Sequence, residues 1–142
     1  MIKRISLGEE IVITTKNKVG LLADISAMLA SRGVNIQAAL GYEAGTTAKL
    51  MLVTNANLSI VSDLKKKKYG SVKETEVVMV ELEDKPGALK VVTTELKKAK
   101  IDIAYLYITA SSVPGGASAM VLQTGDNEKT MALLSRYLGS GE

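Results

Sequence analysis

Apolar residues follow two different periods along the first half of the chain. Between Val19 and Arg32 they recur every three or four residues, which predicts a helix with one buried face. From Val34 to Leu40 every second residue is apolar, which predicts a half-buried strand. Residues 11–15, 46–54 and 71–75 complete the strands, and Asn57 can cap a second helix. The pattern predicts the element order βαββαβ.

The second half of the chain repeats the first. A shift of 67 residues carries Gly20 to Gly87, and after the second strand the shift becomes 70, as from Leu52 to Leu122, because the turn at 111–116 is longer. We therefore predict two domains of one α+β fold, residues 1–75 and 76–142. Each is ferredoxin-like, with an antiparallel sheet covered by helices on one face. Little chain is left after the last helix for an eighth strand.

Composition narrows the class of protein. Domains of about 70 residues bury a limited share of their surface, so we expect a homo-oligomer, most simply a dimer. No apolar run approaches the roughly 20 residues that span a membrane, and the N-terminus lacks the apolar core of a secretory signal. Without cysteine there are no disulfides. We expect a soluble cytoplasmic protein that makes no use of a membrane.

The charge of the chain is concentrated in one place. The formal net charge is +3, and Lys65–Lys68 alone contribute four positive charges. We interpret this run as a solvated helix end, with a site for an anionic partner as the alternative. An RNA-binding module with this strand order would display aromatic residues for base stacking, but Phe and Trp are absent, and Tyr105 and Tyr107 suit packing. We expect no nucleic-acid partner.

One loop in each half is a candidate binding site. Asp84–Leu89 separates a predicted strand from a predicted helix. Pro86 suits the first turn of a helix, and Gly87 lets the backbone turn and another molecule approach. The unpaired N–H groups that open a helix attract carboxylates. A plain connection between strand and helix is the alternative.

Three features together resemble the ACT family of regulatory amino-acid-binding domains, in tandem. They are the Asp84–Leu89 passage, the strand entry Gly33–Ile36 with its counterpart Lys100–Ile103, and the doubled βαββαβ order. The first half departs from the family pattern, since Val19 replaces the proline and Asn17 the aspartate.

The resemblance implies where a ligand would bind. In ACT proteins the effector commonly lies between two domains, held by the loop before the first helix and by the start of the second strand. The implied contacts are Asn17, Gly20, Leu21, Asn35 and Ile36 in the first half, and Asp84, Gly87, Ala88, Leu89, Asp102 and Ile103 in the second. Helix-opening N–H groups would take the α-carboxylate, and Asp or Asn side chains would accept from the α-ammonium.

The two halves differ in charge at these positions. Asp84 and Asp102 are anionic where Asn17 and Asn35 are neutral, so we predict that the second half binds the ammonium more strongly. The alternative interpretation of Asp102 and Asn35 is a polar residue at a strand start.

Catalysis is the rival class of function. The absence of histidine and cysteine removes imidazole bases, thiol nucleophiles and the usual zinc ligands. Asp84 and Asp102 could in principle form an acid–base pair, but nothing in the sequence places a nucleophile beside them. We predict a non-catalytic regulatory protein without cofactor or metal, which binds an amino acid and signals to a partner enzyme of amino-acid metabolism. The alternatives are a protein-interaction module without a small ligand and a small ferredoxin-like enzyme.

Overall fold

The computed structural model describes residues 2–16, 18–67, 69–111, 113 and 115–139. They fall into two units. The N-terminal unit is Glu9–Thr75, and the C-terminal unit is Met1–Gly8 together with Glu76–Glu142. Two long strands, β1 (Ile2–Lys16) and β4 (Ser71–Glu83), supply residues to both units. The described helices include none that is long and apolar enough to cross a membrane.

The N-terminal unit has the predicted element order. Its elements after β1 are α1 (Leu21–Ser31), β2 (Ile36–Ala44), β3 (Thr47–Thr54) and α2 (Asn57–Lys66), before the start of β4. β3 lies between β1 and β2 and is antiparallel to both, and β4 lies on the other side of β1. The core between sheet and helices includes Ile11, Ile13, Ile25, Leu29, Leu52, Ile60 and Leu64. The ferredoxin-like prediction is confirmed.

The C-terminal unit repeats this architecture. From β4 the chain continues through α3 (Ala88–Lys98), β5 (Ile103–Thr109), β6 (Ala117–Thr124), α4 (Asn127–Leu134) and a 3₁₀ helix (Ser135–Tyr137). The strand order is β1, β4, β6, β5, with β6 antiparallel to β4 and β5. Its core includes Ile2, Val78, Val80, Leu82, Val92, Leu96, Met120, Leu122 and Leu134.

The fourth strand of the C-terminal unit comes from the beginning of the chain. Ile2 is 1% exposed and belongs to the same core as Val80. Its carbonyl accepts a hydrogen bond from Gly139 N at 3.1 Å, and Arg4 lies 3.7 Å from Glu81. The placement of residues 2–8 in a first domain 1–75 is thus corrected. They occupy the position next to β4 where an eighth strand would lie.

Two local predictions were wrong. The strand predicted at residues 71–75 does not end there but continues through Glu76 as β4. Asn57 does not cap α2, whose N-cap residue is Ala56, and its counterpart Asn127 likewise follows Asp126, the N-cap residue of α4. Instead, each asparagine accepts from the backbone N–H of the threonine three residues earlier and donates to a carbonyl of β1 or β4. They fasten the helix start to the sheet.

Candidate ligand-binding site

Each unit has a left-handed glycine immediately before its first helix. Gly20 precedes α1 with φ 89°, and Gly87 precedes α3 with φ 90°. Such a backbone strongly favours glycine. A Cβ at either position would meet no heavy atom within 4 Å, so the space beside both loops is open. Another molecule can approach the backbone there.

These two helix starts differ from that of α4. The carboxylate of Asp126, the N-cap of α4, accepts a hydrogen bond from Lys129 N at 3.0 Å. Gly20 and Gly87 occupy the same N-cap position but have no side chain to offer. The starts of α1 and α3 therefore lack this side-chain cap. In α3, Ala88 N already donates to Lys85 O at 3.3 Å, so an external anion would bind the N–H groups that follow it.

The residues that follow the glycines anchor the loops. Leu21 is 5% exposed and Ala88 is 4% exposed, and each belongs to the core of its unit. We predict both as ligand contacts, but their side chains are buried in the cores, and Ala88 N already donates to Lys85 O at 3.3 Å. Leu89 is 38% exposed beside Gly87 and can present its side chain.

Asp84 is already engaged with another part of the C-terminal unit. Its Oδ2 accepts a hydrogen bond from Ser111 N at 3.0 Å, and its own N–H donates to Gly116 O at 3.4 Å. The carboxylate thus ties the longer β5–β6 turn to the candidate loop, and a bound ammonium would have to share it. Asn17, the counterpart of Asp84, lies outside the described residues.

The turn that Asp84 holds has its own internal bonds. Ser111 Oγ donates to Val113 O at 2.8 Å, and Gly116 N donates to the same carbonyl at 3.1 Å. Lys3 Nζ donates to Gly115 O at 3.2 Å. Sequence reasoning missed Ser111 as a neighbour of the loop. The signal was that the longer turn and the aspartate occur in the same half.

The predicted strand-start residues have different neighbours. Asn35 N donates to Asn55 Oδ1 at 3.1 Å, and Asn55 N donates to Asn35 O at 3.2 Å. In the other unit, Asp102 O accepts from Gly125 N at 3.0 Å. Ile36 and Ile103 pack against the cores. Both strand starts are therefore tied to the loops that follow β3 and β6.

Within one unit the glycine loop and the strand start lie at opposite ends of the sheet. In the N-terminal unit, Lys16 near the loop pairs with Thr47 at the start of β3, whereas Ile36 pairs with Thr54 at its end. In the C-terminal unit, the end of β6 lies beside Glu76, because Gln123 Nε2 donates to Glu76 O at 2.8 Å. Asp84 lies eight residues farther along that chain, or roughly 26 Å at about 3.3 Å per residue.

This separation limits which of the predicted residues one ligand could contact together. One amino acid cannot contact Asp84 and Asp102 of the same unit, and the same holds for the Gly20 loop and Asn35. The acid–base pair considered for an enzyme also fails, because its two carboxylates are too far apart to share a proton. Nor do the described residues include a group of three or more acidic side chains that could hold a metal ion.

Charges beside Asp84 are paired with each other. Lys85 Nζ lies 2.7 Å from Glu83 Oε2. The hydrogen bond from Lys85 holds the pKa of the Glu83 carboxyl below its ordinary value. Because this lysine is engaged, the backbone N–H groups are the better placed donors for a ligand carboxylate at this loop.

The family model of the ACT domain matches residues 10–63, which include the Gly20 loop and the entry to β2. The C-terminal unit repeats the element order, the strand order and the left-handed glycine loop of that stretch. Residues 10–63 therefore match an ACT domain, and the C-terminal unit has the same architecture. The resemblance predicted from its sequence motifs is confirmed.

Solved structures of low sequence identity share this tandem ACT fold. Protein BT0572 from Bacteroides thetaiotaomicron is 23% identical, with a TM-score of 0.84 over 93% of this chain and 89% of that one. The regulatory subunit of aspartate kinase from Thermus thermophilus, in a ligand-free form, is 12% identical, with a TM-score of 0.65 over 95% and 97%. Aspartokinase alpha and beta subunits are 13% identical, with a TM-score of 0.66 over 96% of this chain and 97% of that one. No curated protein matched.

Proposed function

We propose that this tandem ACT-domain protein is a non-catalytic regulator that binds an amino acid at its glycine loops and passes that state to a partner protein. The observation that carries the proposal is the pair of helix starts behind Gly20 and Gly87, open and without a side-chain cap. The N–H groups there suit an α-carboxylate. The structural neighbours that are aspartate kinase subunits favour a partner enzyme of amino-acid metabolism.

The regulatory step needs only a difference in affinity. A ligand that binds one conformation of the protein better than another shifts the population by that difference. The loops suit this role because the ligand would bond to backbone atoms that Leu21 and Ala88 connect directly to the cores. The output then passes by contact with the partner chain.

The two loops are not equivalent in this proposal. Asp84 supplies an anionic acceptor at the loop of the C-terminal unit. Because Asp102 lies too far from this loop, the prediction that the second half binds the ammonium more tightly depends on Asp84 alone. The carboxylate also holds Ser111 at 3.0 Å, which keeps it oriented beside the loop. Such an orientation lowers the entropic cost of binding a ligand ammonium.

A thermal-shift screen against the standard amino acids tests the proposal. A ligand at 100 times its Kd adds about 2.7 kcal/mol of stability. The amino acid that shifts the transition is then titrated by calorimetry into Gly20→Ala and Gly87→Ala. A Cβ would occupy the open approach without meeting protein atoms, so we expect weaker binding from at least one variant.

Gly33→Ala is the matched control. Gly33 also has a positive φ, of 69°, with no heavy atom within 4 Å of a built Cβ, but it lies beyond the other end of α1. It should strain the backbone equally and leave ligand affinity unchanged. Equal affinity in all three variants would place the ligand elsewhere. No shift with any amino acid would favour a protein-interaction module without a small ligand.

A further inference from the structure

A groove opens on the N-terminal unit at the last turns of α1 and α2. Its volume is about 460 Å³, and its walls are formed by Asp24, Ala27, Met28, Ser31, Arg32, Lys67 and Tyr69. This volume falls within the range of about 300–1,000 Å³ that is typical of ligand sites. The groove belongs to neither the glycine loop nor the strand start.

The walls of the groove carry an excess of positive charge. Arg32 and Lys67 are the cationic lining residues, against Asp24 in the lining and Asp63 beside Arg32, so the excess comes from the lysines at the end of α2. The guanidinium of Arg32 is held in place by Asp63, with Nη1 and Oδ2 2.6 Å apart. Lys65 and Lys66 precede Lys67 in the last turn of α2 and add to the field. An anionic partner is favoured at this position.

The corresponding place in the C-terminal unit is filled. The repeat carries Met28 to Glu95 and Lys67 to Tyr137. Tyr137 Oη donates to Glu95 Oε1 at 2.7 Å, and Lys98 Nζ lies 3.5 Å from the same oxygen. The opening comes from the particular residues of the N-terminal unit.

We propose that this groove binds an acidic segment of the partner protein. The inference rests on the proposed function, which requires a partner, and it identifies the surface that the partner uses. Charge complementarity argues for the occupant, since Arg32 and Lys67 can each donate to a carboxylate. The exposed small side chains of Ala23, Ala27 and Ala30 on α1 leave room for a chain to lie close to the helix. Lys65–Lys67 thereby serve an anionic partner.

Fluorescence anisotropy with a fluorescein-labelled peptide of glutamate and alanine tests this surface. Lys67→Glu should raise the peptide Kd about tenfold or more, because a charge-assisted hydrogen bond is replaced by repulsion. Lys97→Glu is the matched control, since Lys97 is exposed in the last turn of α3 and the change in net charge is identical. It should change the Kd by no more than about twofold.

A second variant fills the groove instead of removing a contact. Ala27 is exposed, so Ala27→Glu should leave the fold intact while placing a carboxylate between the walls. It should raise the peptide Kd about as much as Lys67→Glu does. Circular dichroism and thermal denaturation of each variant check the fold.

Several results would overturn the proposal. One is that the peptide does not bind at all, and another is that Lys67→Glu and Lys97→Glu lose the same peptide affinity. A third is that ATP displaces the labelled peptide at lower concentrations than unlabelled peptide does, which would indicate a site for small anions. The amino-acid screen, repeated on Lys67→Glu, should give the wild-type shift. If amino acids fail to bind the wild type but peptide binding depends on Lys67, the groove stands and the amino-acid part of the proposed function fails.

Discussion

Shortening Ile2 to alanine should destabilise the C-terminal unit, although residue 2 is at the start of the chain. Ile2 is 1% exposed and packs in the core that includes Leu96 and Leu134. Ile2→Ala removes three carbons, worth about 0.8 kcal/mol each in burial, and leaves a cavity that adds to the loss. We expect a decrease of about 3 kcal/mol in the free energy of unfolding, within the range for buried Ile→Ala changes.

Leu7→Ala is the control on the same strand. Leu7 is 39% exposed, so its truncation should decrease the free energy of unfolding by less than about 1 kcal/mol. Urea denaturation measures both variants. Because two units need not unfold in a single transition, hydrogen exchange should assign the loss. Exchange in Ile2→Ala should rise in β6 and α3 more than in β3.

The opposite pattern would refute the reasoning. If Ile2→Ala and Leu7→Ala lose the same stability, the beginning of β1 is not part of a core. If exchange rises first in Thr47–Thr54, residue 2 supports the N-terminal unit, and the grouping of residues 2–8 with the C-terminal unit is wrong.

Two further predictions concern hydrogen bonds of the C-terminal unit. Asp84→Ala should speed amide exchange at Ser111, whereas Asp84→Asn, which keeps an acceptor oxygen, should protect it; equal rates in the two variants would contradict the contact. The hydrogen bond between Glu95 and Tyr137 lowers the pKa of the Glu95 carboxyl and raises the pKa of the Tyr137 hydroxyl. Because the pKa of Glu95 is lowered, the contact stabilises the fold at pH values above the ordinary pKa of glutamate. This stability is lost as the pH falls through the lowered pKa of the folded state. The raised pKa contributes stability below the ordinary tyrosine value that is lost as pH rises. Urea denaturation of wild type and Tyr137→Phe should therefore differ most between about pH 5 and pH 9, and a difference independent of pH would contradict the contact.

The fold could be predicted because its signals are local. The periods of Val19–Arg32 and Val34–Leu40 identify one helix and one strand without reference to the rest of the chain, and the repeat doubles the information. The beginning of β1 has no such signal, because Ile2, Ile5 and Leu7 are separated by charged and polar residues without a regular period. Its place is decided by pairing with β4, about 75 residues away in sequence, and a local pattern does not contain that pairing.

The candidate site was predicted in part for a similar reason. A left-handed turn favours glycine, so Gly20 and Gly87 can be recognised in the sequence as turn residues. Within each unit the strand start lies far from the glycine loop, and the topology explains why. α1 has 11 residues and is about 16 Å long, so the chain that leaves the loop at one end of the sheet must enter β2 near the other. The resemblance supplied both sets of residues but not which of them one ligand could contact together.

The duplication separates what the fold requires from what each half does. Both units keep the left-handed glycine and the asparagine that fastens the helix to the sheet. They differ where Glu95 and Tyr137 close the C-terminal unit upon itself, while Met28 and Lys67 leave the N-terminal unit open. Under our proposals the features shared by both units bind the effector, and the features that differ give the two units different functions. The N-terminal unit then meets the partner, so Lys67→Glu should abolish partner regulation while amino-acid binding survives.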